Sequence, residues 1–247
     1  MYKQIVVLYL TGHVLGDFYF QSPKMSEKKD IEYGSVITHS LLYALSILLV
    51  SMPVLNLRIL FYDLVIFISH MVFDSLKFFH IRKAGKKYRE KIVFILDQAA
   101  HIAVIMFAAY LIIWTDTKLI VHDLINDYFV FSGISKRRLA EWVLILLIAH
   151  KPANIIVQKL IGGYKPKEPK AEFKKDNNVG RYIGTVERLV MVLLLSVQQY
   201  AAIGLVLTAK SIARYDKISK EKEFAEYYLL GTLISTLIVI VCVLCIL

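Results

Sequence analysis

The last twenty-one residues, Tyr227 to Leu247, contain no charged side chain. A run of about 20 apolar residues is the length a helix needs to cross a bilayer. It is one of several such blocks. Tyr182 to Leu207 carries only Glu187 and Arg188, and further blocks run over Ile5–Gln21, Ser35–Met52, Leu57–Phe79, Ile92–Trp114 and Leu139–Ile161. The chain is 57% hydrophobic and its mean hydropathy is +0.56. These blocks predict an all-α, polytopic integral membrane helical bundle with six to eight transmembrane segments. Asp116–Ser132 is ambiguous: its Asp123 and Asp127 suit an interfacial or re-entrant helix better than a crossing.

The net charge of +10 sits in short connectors between these blocks. That distribution points to the positive-inside bias and to anionic membrane lipids, not to nucleic acid. The densest connector holds Arg82, Lys83, Lys86, Lys87, Arg89 and Lys91 against Glu90 alone. Residues 1–132 read as an N-terminal bundle. Residues 133–178 read as a further span and a hydrophilic linker with Pro166 and Pro169, and residues 179–247 as a C-terminal transmembrane part. If Arg82–Lys91 faces the cytoplasm, the basic segment Lys210–Lys222 falls on the wrong side whenever Tyr182–Leu207 crosses once. Cys242 and Cys245 lie inside the last apolar block and read as buried thiols.

Ionisable groups at membrane depth are costly and mark functional interiors. Here they come in pairs: His13 and Asp17, His70 and Asp74, and Asp97 and His101 in reverse order. Four-residue spacing puts each pair on one helical face. His39 adds a fourth imidazole from another block. Imidazole and carboxylate together suit a divalent transition metal such as zinc or manganese. The expected metal ligands are His13, Asp17, His39, His70, Asp74, Asp97 and His101, with Asp17, Asp74 and Asp97 as catalytic carboxylates. A set of this kind can serve a metal-dependent membrane hydrolase. It can equally serve a transporter or binding protein with a proton or ion relay, or simply pin helices together in a scaffold.

The C-terminal part holds a second set: Arg181, Glu187, Arg188, Lys210, Ser211, Arg214 and Glu226. Arginine binds phosphate or carboxylate in bidentate fashion, so this set is a candidate clamp for a lipid-linked or anionic small molecule. Glu226 is a candidate partner for Lys210 or Arg214.

The stretch Leu10-Thr11-Gly12-His13-Val14-Leu15-Gly16-Asp17-Phe18-Tyr19-Phe20-Gln21 resembles the start of a prokaryotic membrane family catalogued as domain of unknown function 3307. His39, His70-Met71-Val72-Phe73-Asp74 with Lys77, and Leu96-Asp97-Gln98-Ala99-Ala100-His101 extend the likeness over roughly residues 5–113. Gly180–Arg188, Ala209–Arg214 and Phe224–Thr232 are similar to the C-terminal extension of longer members. Thr11-Gly12 departs from the leucine or alanine usual there. The resemblance implies a bacterial cytoplasmic membrane location and names no reaction. The His/Asp spacing is also loosely similar to that of membrane-bound metal-dependent hydrolases.

Overall fold

The computed structural model describes residues 1–85, 90–166 and 179–247. Lys86, Lys87 and Arg89 of the basic connector, and the linker from residue 167 to 178, lie outside the described residues. Every regular element among the described residues is helical. The chain divides into two compact units, Met1–Leu144 and Ile145–Leu247.

Unit 1 begins with α1 (Tyr2–Val14), which runs on into a five-residue π turn, Leu15–Tyr19. The short α2 (Pro23–Lys29) follows, capped by Ser22, whose Oγ accepts from the Met25 amide, and opened by Pro23 in its first turn. Both features are standard for a helix start. Three long helices then form the body: α3 (Tyr33–Ser51), α4 (Leu57–Ala84) and α5 (Glu90–Trp114). Asn56 caps α4 by accepting from the amides of Arg58 and Ile59. The ten-residue α6 (Asp123–Ser132) buries none of its residues and is far too short to cross a bilayer, as its two aspartates imply. The long α7 (Lys136–Ile161) contains the boundary between the units.

Unit 2 contains α8 (Val179–Ser196), α9 (Tyr200–Ile212), α10 (Tyr215–Lys220) and α11 (Lys222–Ile246). The block expected to cross once over Tyr182–Leu207 is therefore two helices. The chain turns at Val197–Gln199, with Gln198 in the left-handed region at φ 59°. Similar lengths of helix on either side of the turn bring Lys210 back beside Glu187. The basic segment after α9 thus returns to the end of the unit where α8 begins. The conflict with the charge bias came from treating a hairpin as one crossing.

Five segments are long and apolar enough to cross a membrane: Tyr33–Val54, Leu57–Ala84, Glu90–Trp114, Lys136–Tyr164 and Lys222–Ile246. The protein is an all-α integral membrane bundle. Of the two other blocks counted from the sequence, one is the 13-residue α1 and the other is divided between α8 and α9.

The core of unit 1 is built from Ile5, Tyr9, Tyr43, Ile47, Ile59, Tyr62, Ile66, Ile105 and Ile112. What sets its geometry is the approach of α1 to α3. A Cβ at Gly12 would stand 2.8 Å from Ile47 Cδ1, and one at Gly16 would stand 2.6 Å from Tyr43 Cδ2 and 3.2 Å from the Tyr43 Cα. Small residues four apart let helix backbones close on one another. Ser46 of α3 reinforces the contact by donating to the Gly12 carbonyl. Gly16→Leu must push the helices apart. Overpacking of this sort costs about 1–3 kcal/mol, and we expect a lower thermal midpoint in detergent together with loss of the Asp17–His39 contact described below.

Candidate metal centre and a second polar cluster

Asp17 lies inside the π turn, where Phe20 N donates to Leu15 O across five residues. Such turns shift a side chain off the regular helical face and recur at functional sites. His13 and Asp17, expected to pair, are 3.9 Å apart. Asp17 Oδ1 instead meets His39 Nε2 of α3 at 3.2 Å.

Four side-chain atoms from three segments converge there. His39 Nε2 and His70 Nε2 face each other at 3.2 Å. His39 Nε2 is 3.5 Å from Asp74 Oδ2. His70 Nε2 is 3.7 Å from Asp17 Oδ1 and 3.4 Å from Asp74 Oδ2. Two imidazole nitrogens cannot face each other at this distance without a proton or a cation between them. A tetrahedral ion with ligands at 2.0–2.1 Å has ligand–ligand edges of about 3.3–3.4 Å. Five of the six separations among these atoms, at 3.2–3.7 Å, bracket that edge, and Asp17, His39 and His70 form one candidate ligand group. A second group, His70, Asp74 and His101, brings one ligand atom from each within 4.8 Å. His70 and His101 stack with ring centroids 4.4 Å apart.

The surroundings orient these atoms. Gln98 Nε2 donates to Asp17 Oδ2 at 3.0 Å, turning Oδ1 toward the histidines. The Gln98 oxygen then faces His13 Nε2 at 3.3 Å, and Tyr43 Oη lies 3.3 Å from His13 Nδ1. Since the amide oxygen can only accept, His13 carries its proton on Nε2 and accepts from Tyr43. Both nitrogens of His13 are thereby engaged, and it supports Asp17 from outside the four converging atoms. The Tyr43 ring also stacks on His70 at 3.6 Å, nearly coplanar at 4°. Asp97 faces Lys77 at 2.9 Å and His101 at 3.6 Å. Lys29 of α2 donates to Asp74 Oδ2 at 2.6 Å.

The seven expected ligands therefore gather in one region, graded by distance. Asp17, His39, His70 and Asp74 form the centre, His101 and Asp97 flank it, and His13 backs it. Lys29, Tyr43 and Gln98 escaped the sequence argument. Gln98 is adjacent to Asp97, and Tyr43 is one turn from His39, so both could have been found by extending each polar face by one turn. Three carboxylates face two ammonium groups, Lys29 and Lys77, so with neutral histidines the region holds one excess negative charge.

The C-terminal set does not gather in the same way. Arg188 is buried and spends its donors on neutral acceptors: Ala149 O at 2.7 Å, Ser235 Oγ at 3.2 Å, Asn154 Oδ1 at 2.8 Å and Thr185 Oγ1 at 3.2 Å. It ties α8 to α11 and to the turn of α7 before Pro152. Glu187 is ion-paired to Lys210, which also donates to Thr232 at 3.2 Å. With the Gln158 amide turned so that its oxygen faces α8, Arg181 donates to it twice, at 2.9 Å. Ser211 donates to Leu207 O, and Arg214 stands over the Tyr228 ring at 5.9 Å. Glu226 is exposed and 3.9 Å from Lys222, not beside Lys210 or Arg214, because it sits on the outer face of α11.

Two substitutions test these supports. Gln98→Leu leaves Asp17 Oδ2 and His13 short of partners, and an unmet buried polar group costs about 1–3 kcal/mol. We expect a lower melting midpoint that Gln98→Glu does not restore. Arg188→Lys should lower the midpoint nearly as far as Arg188→Ala, because an ammonium cannot span acceptors on three helices.

No curated protein and no solved structure matches the chain. A family profile described as a protein of unknown function (DUF3307) matches residues 5–130. That stretch runs from α1 into α6 and contains every residue of the His/Asp centre. It is just over half of the 247 residues, and the chain belongs to the DUF3307 family, with the rest of its length as a C-terminal extension.

Proposed function

We propose that the protein is a metal-dependent membrane enzyme that hydrolyses a lipid-linked or phosphorylated substrate. The observation that carries this reading is the convergence of Asp17 Oδ1, His39 Nε2, His70 Nε2 and Asp74 Oδ2 at tetrahedral-edge spacing. The donor set of two imidazoles and two carboxylates suits zinc or manganese. The excess negative charge also favours a bound cation. An ion there supplies Lewis acidity and a water of lowered pKa.

The protein's own residues complete the site. Gln98 and Tyr43 hold the ligands in orientation, as groups behind metal ligands commonly do. Lys29 and Lys77 stand at the rim, with side chains 10% and 21% exposed. With Asp74 engaged by an ion, Lys29 would be left to hold an anionic group, and Lys77 beside Asp97 would stand next to it. Asp97 lies seven residues into α5, about 10 Å from its start. Asp17 and Asp74 lie near the same end of the bundle. A headgroup at the membrane surface reaches this depth. The setting in this reading is the bacterial cytoplasmic membrane, with the basic α4–α5 connector on the cytoplasmic side.

Purified protein, never exposed to chelator, should carry about one equivalent of zinc or manganese by elemental analysis. Asp17→Asn and Asp74→Asn should lose it, while Asp97→Asn should retain it and lose hydrolysis of phosphorylated lipid substrates. Protein without a transition metal under those conditions would refute the reading. The unbroken path of polar contacts from Tyr43 through His13, Gln98, Asp17 and His39 to His70 supports a proton relay as the second reading. It predicts pH-driven flux in proteoliposomes that Asp74→Asn abolishes.

A further inference from the structure

Asp63 lies on the same face of α4 as His70 and Asp74, seven and eleven residues earlier, but in the opposite half of the helix. By helical rise it is about 10 Å from His70. It is 6% exposed and sits among Ile59, Tyr62 and Ile66 of the apolar core. Ser51 at the end of α3 donates to its Oδ2 at 2.6 Å. The hydroxyl of Tyr9 on α1, 1% exposed, faces the same carboxyl. Asp63 Oδ1 and Tyr9 Oη are both buried and without a hydrogen-bond partner.

The groups around Asp63 are neutral. Ser51 faces it from α3 and Tyr9 from α1. On its own helix, Tyr62 turns away to Thr115 of α5 at 2.9 Å, and Arg58 donates to the Thr115 carbonyl. No cation pairs with Asp63 among the described residues. An ionised carboxylate in such a place loses its hydration without compensation, and the ordinary escape is to take up a proton. The Tyr9 hydroxyl can serve the carboxyl in either state, donating to Oδ1 of the ionised form or accepting a proton from Oδ1 of the neutral form. On α1, Tyr9, His13 and Asp17 succeed one another at four-residue spacing, so the Tyr9 hydroxyl stands one turn from the hydrogen-bonded network of the centre.

We propose that Asp63, with Ser51 and Tyr9, forms a proton-carrying site in the apolar half of unit 1, one turn of α1 from the His/Asp network. It is separate from the metal ligands and does not depend on a metal.

Infrared spectroscopy of metal-stripped protein in liposomes at neutral pH reads the site directly. The wild type should show the carbonyl stretch of a protonated carboxyl, shifting on transfer to D2O. The band should be absent from Asp63→Asn and return at a displaced frequency in Asp63→Glu. Identical spectra for wild type and Asp63→Asn would overturn the proposal. So would a carboxylate band that requires sodium, which would make the site a cation site. A band that fails to exchange in D2O until the protein is unfolded would also overturn it, by showing a trapped proton and not a carried one. If Asp63→Asn does not fold, the displaced band of Asp63→Glu decides the assignment. Stripping the metal keeps the outcome apart from that of the hydrolase reading.

Discussion

The contact between α1 and α3 governs the rest of unit 1. Gly12 and Gly16 remove the side chains that would hold the two backbones apart. Only at that separation can Asp17 reach His39 and Tyr43 reach His13. The π turn carries Asp17, which lies 3.2 Å from His39 and 3.9 Å from His13. The two oxygens of the carboxylate divide the contacts, Oδ1 toward His39 and Oδ2 toward Gln98 and His13.

Burial makes that outcome consequential. Asp17, Asp74 and Asp97 are each nearly withdrawn from solvent, and so are the imidazoles around them. Such groups are retained at depth only when partners answer every charge. Lys29 and Lys77 answer two of the three carboxylates. Lys29 does so from α2, a short capped helix between α1 and α3 that also packs against α3.

Much of this was legible in the sequence. The long apolar blocks identified a helical membrane bundle, and paired spacing picked out six of the seven His and Asp residues that gather, with His39 added as an imidazole from another block. What spacing could not show was their ranking. His13 looks like a ligand because it repeats the pattern of His70, yet the Gln98 amide and the Tyr43 hydroxyl occupy its nitrogens, and neither has a recognisable spacing. Asp63 stayed hidden because it has no histidine four residues away. The C-terminal arginines suggested a clamp by residue type, but Arg188 is consumed by neutral acceptors around a proline-bearing turn, a circumstance that depends on tertiary packing. The break at Gln198 had only the two adjacent glutamines as its signal, set against a long apolar background.

That break bears on how the C-terminal part enters a bilayer. Because α8 and α9 double back with Lys210 beside Glu187, both ends of the hairpin remain on one side. Its turn at Val197–Gln199 is the part of the pair farthest from those charges. None of the basic residues between Lys210 and Lys222 needs to be dragged through hydrocarbon, where each would cost about 2.5–3.5 kcal/mol on insertion scales.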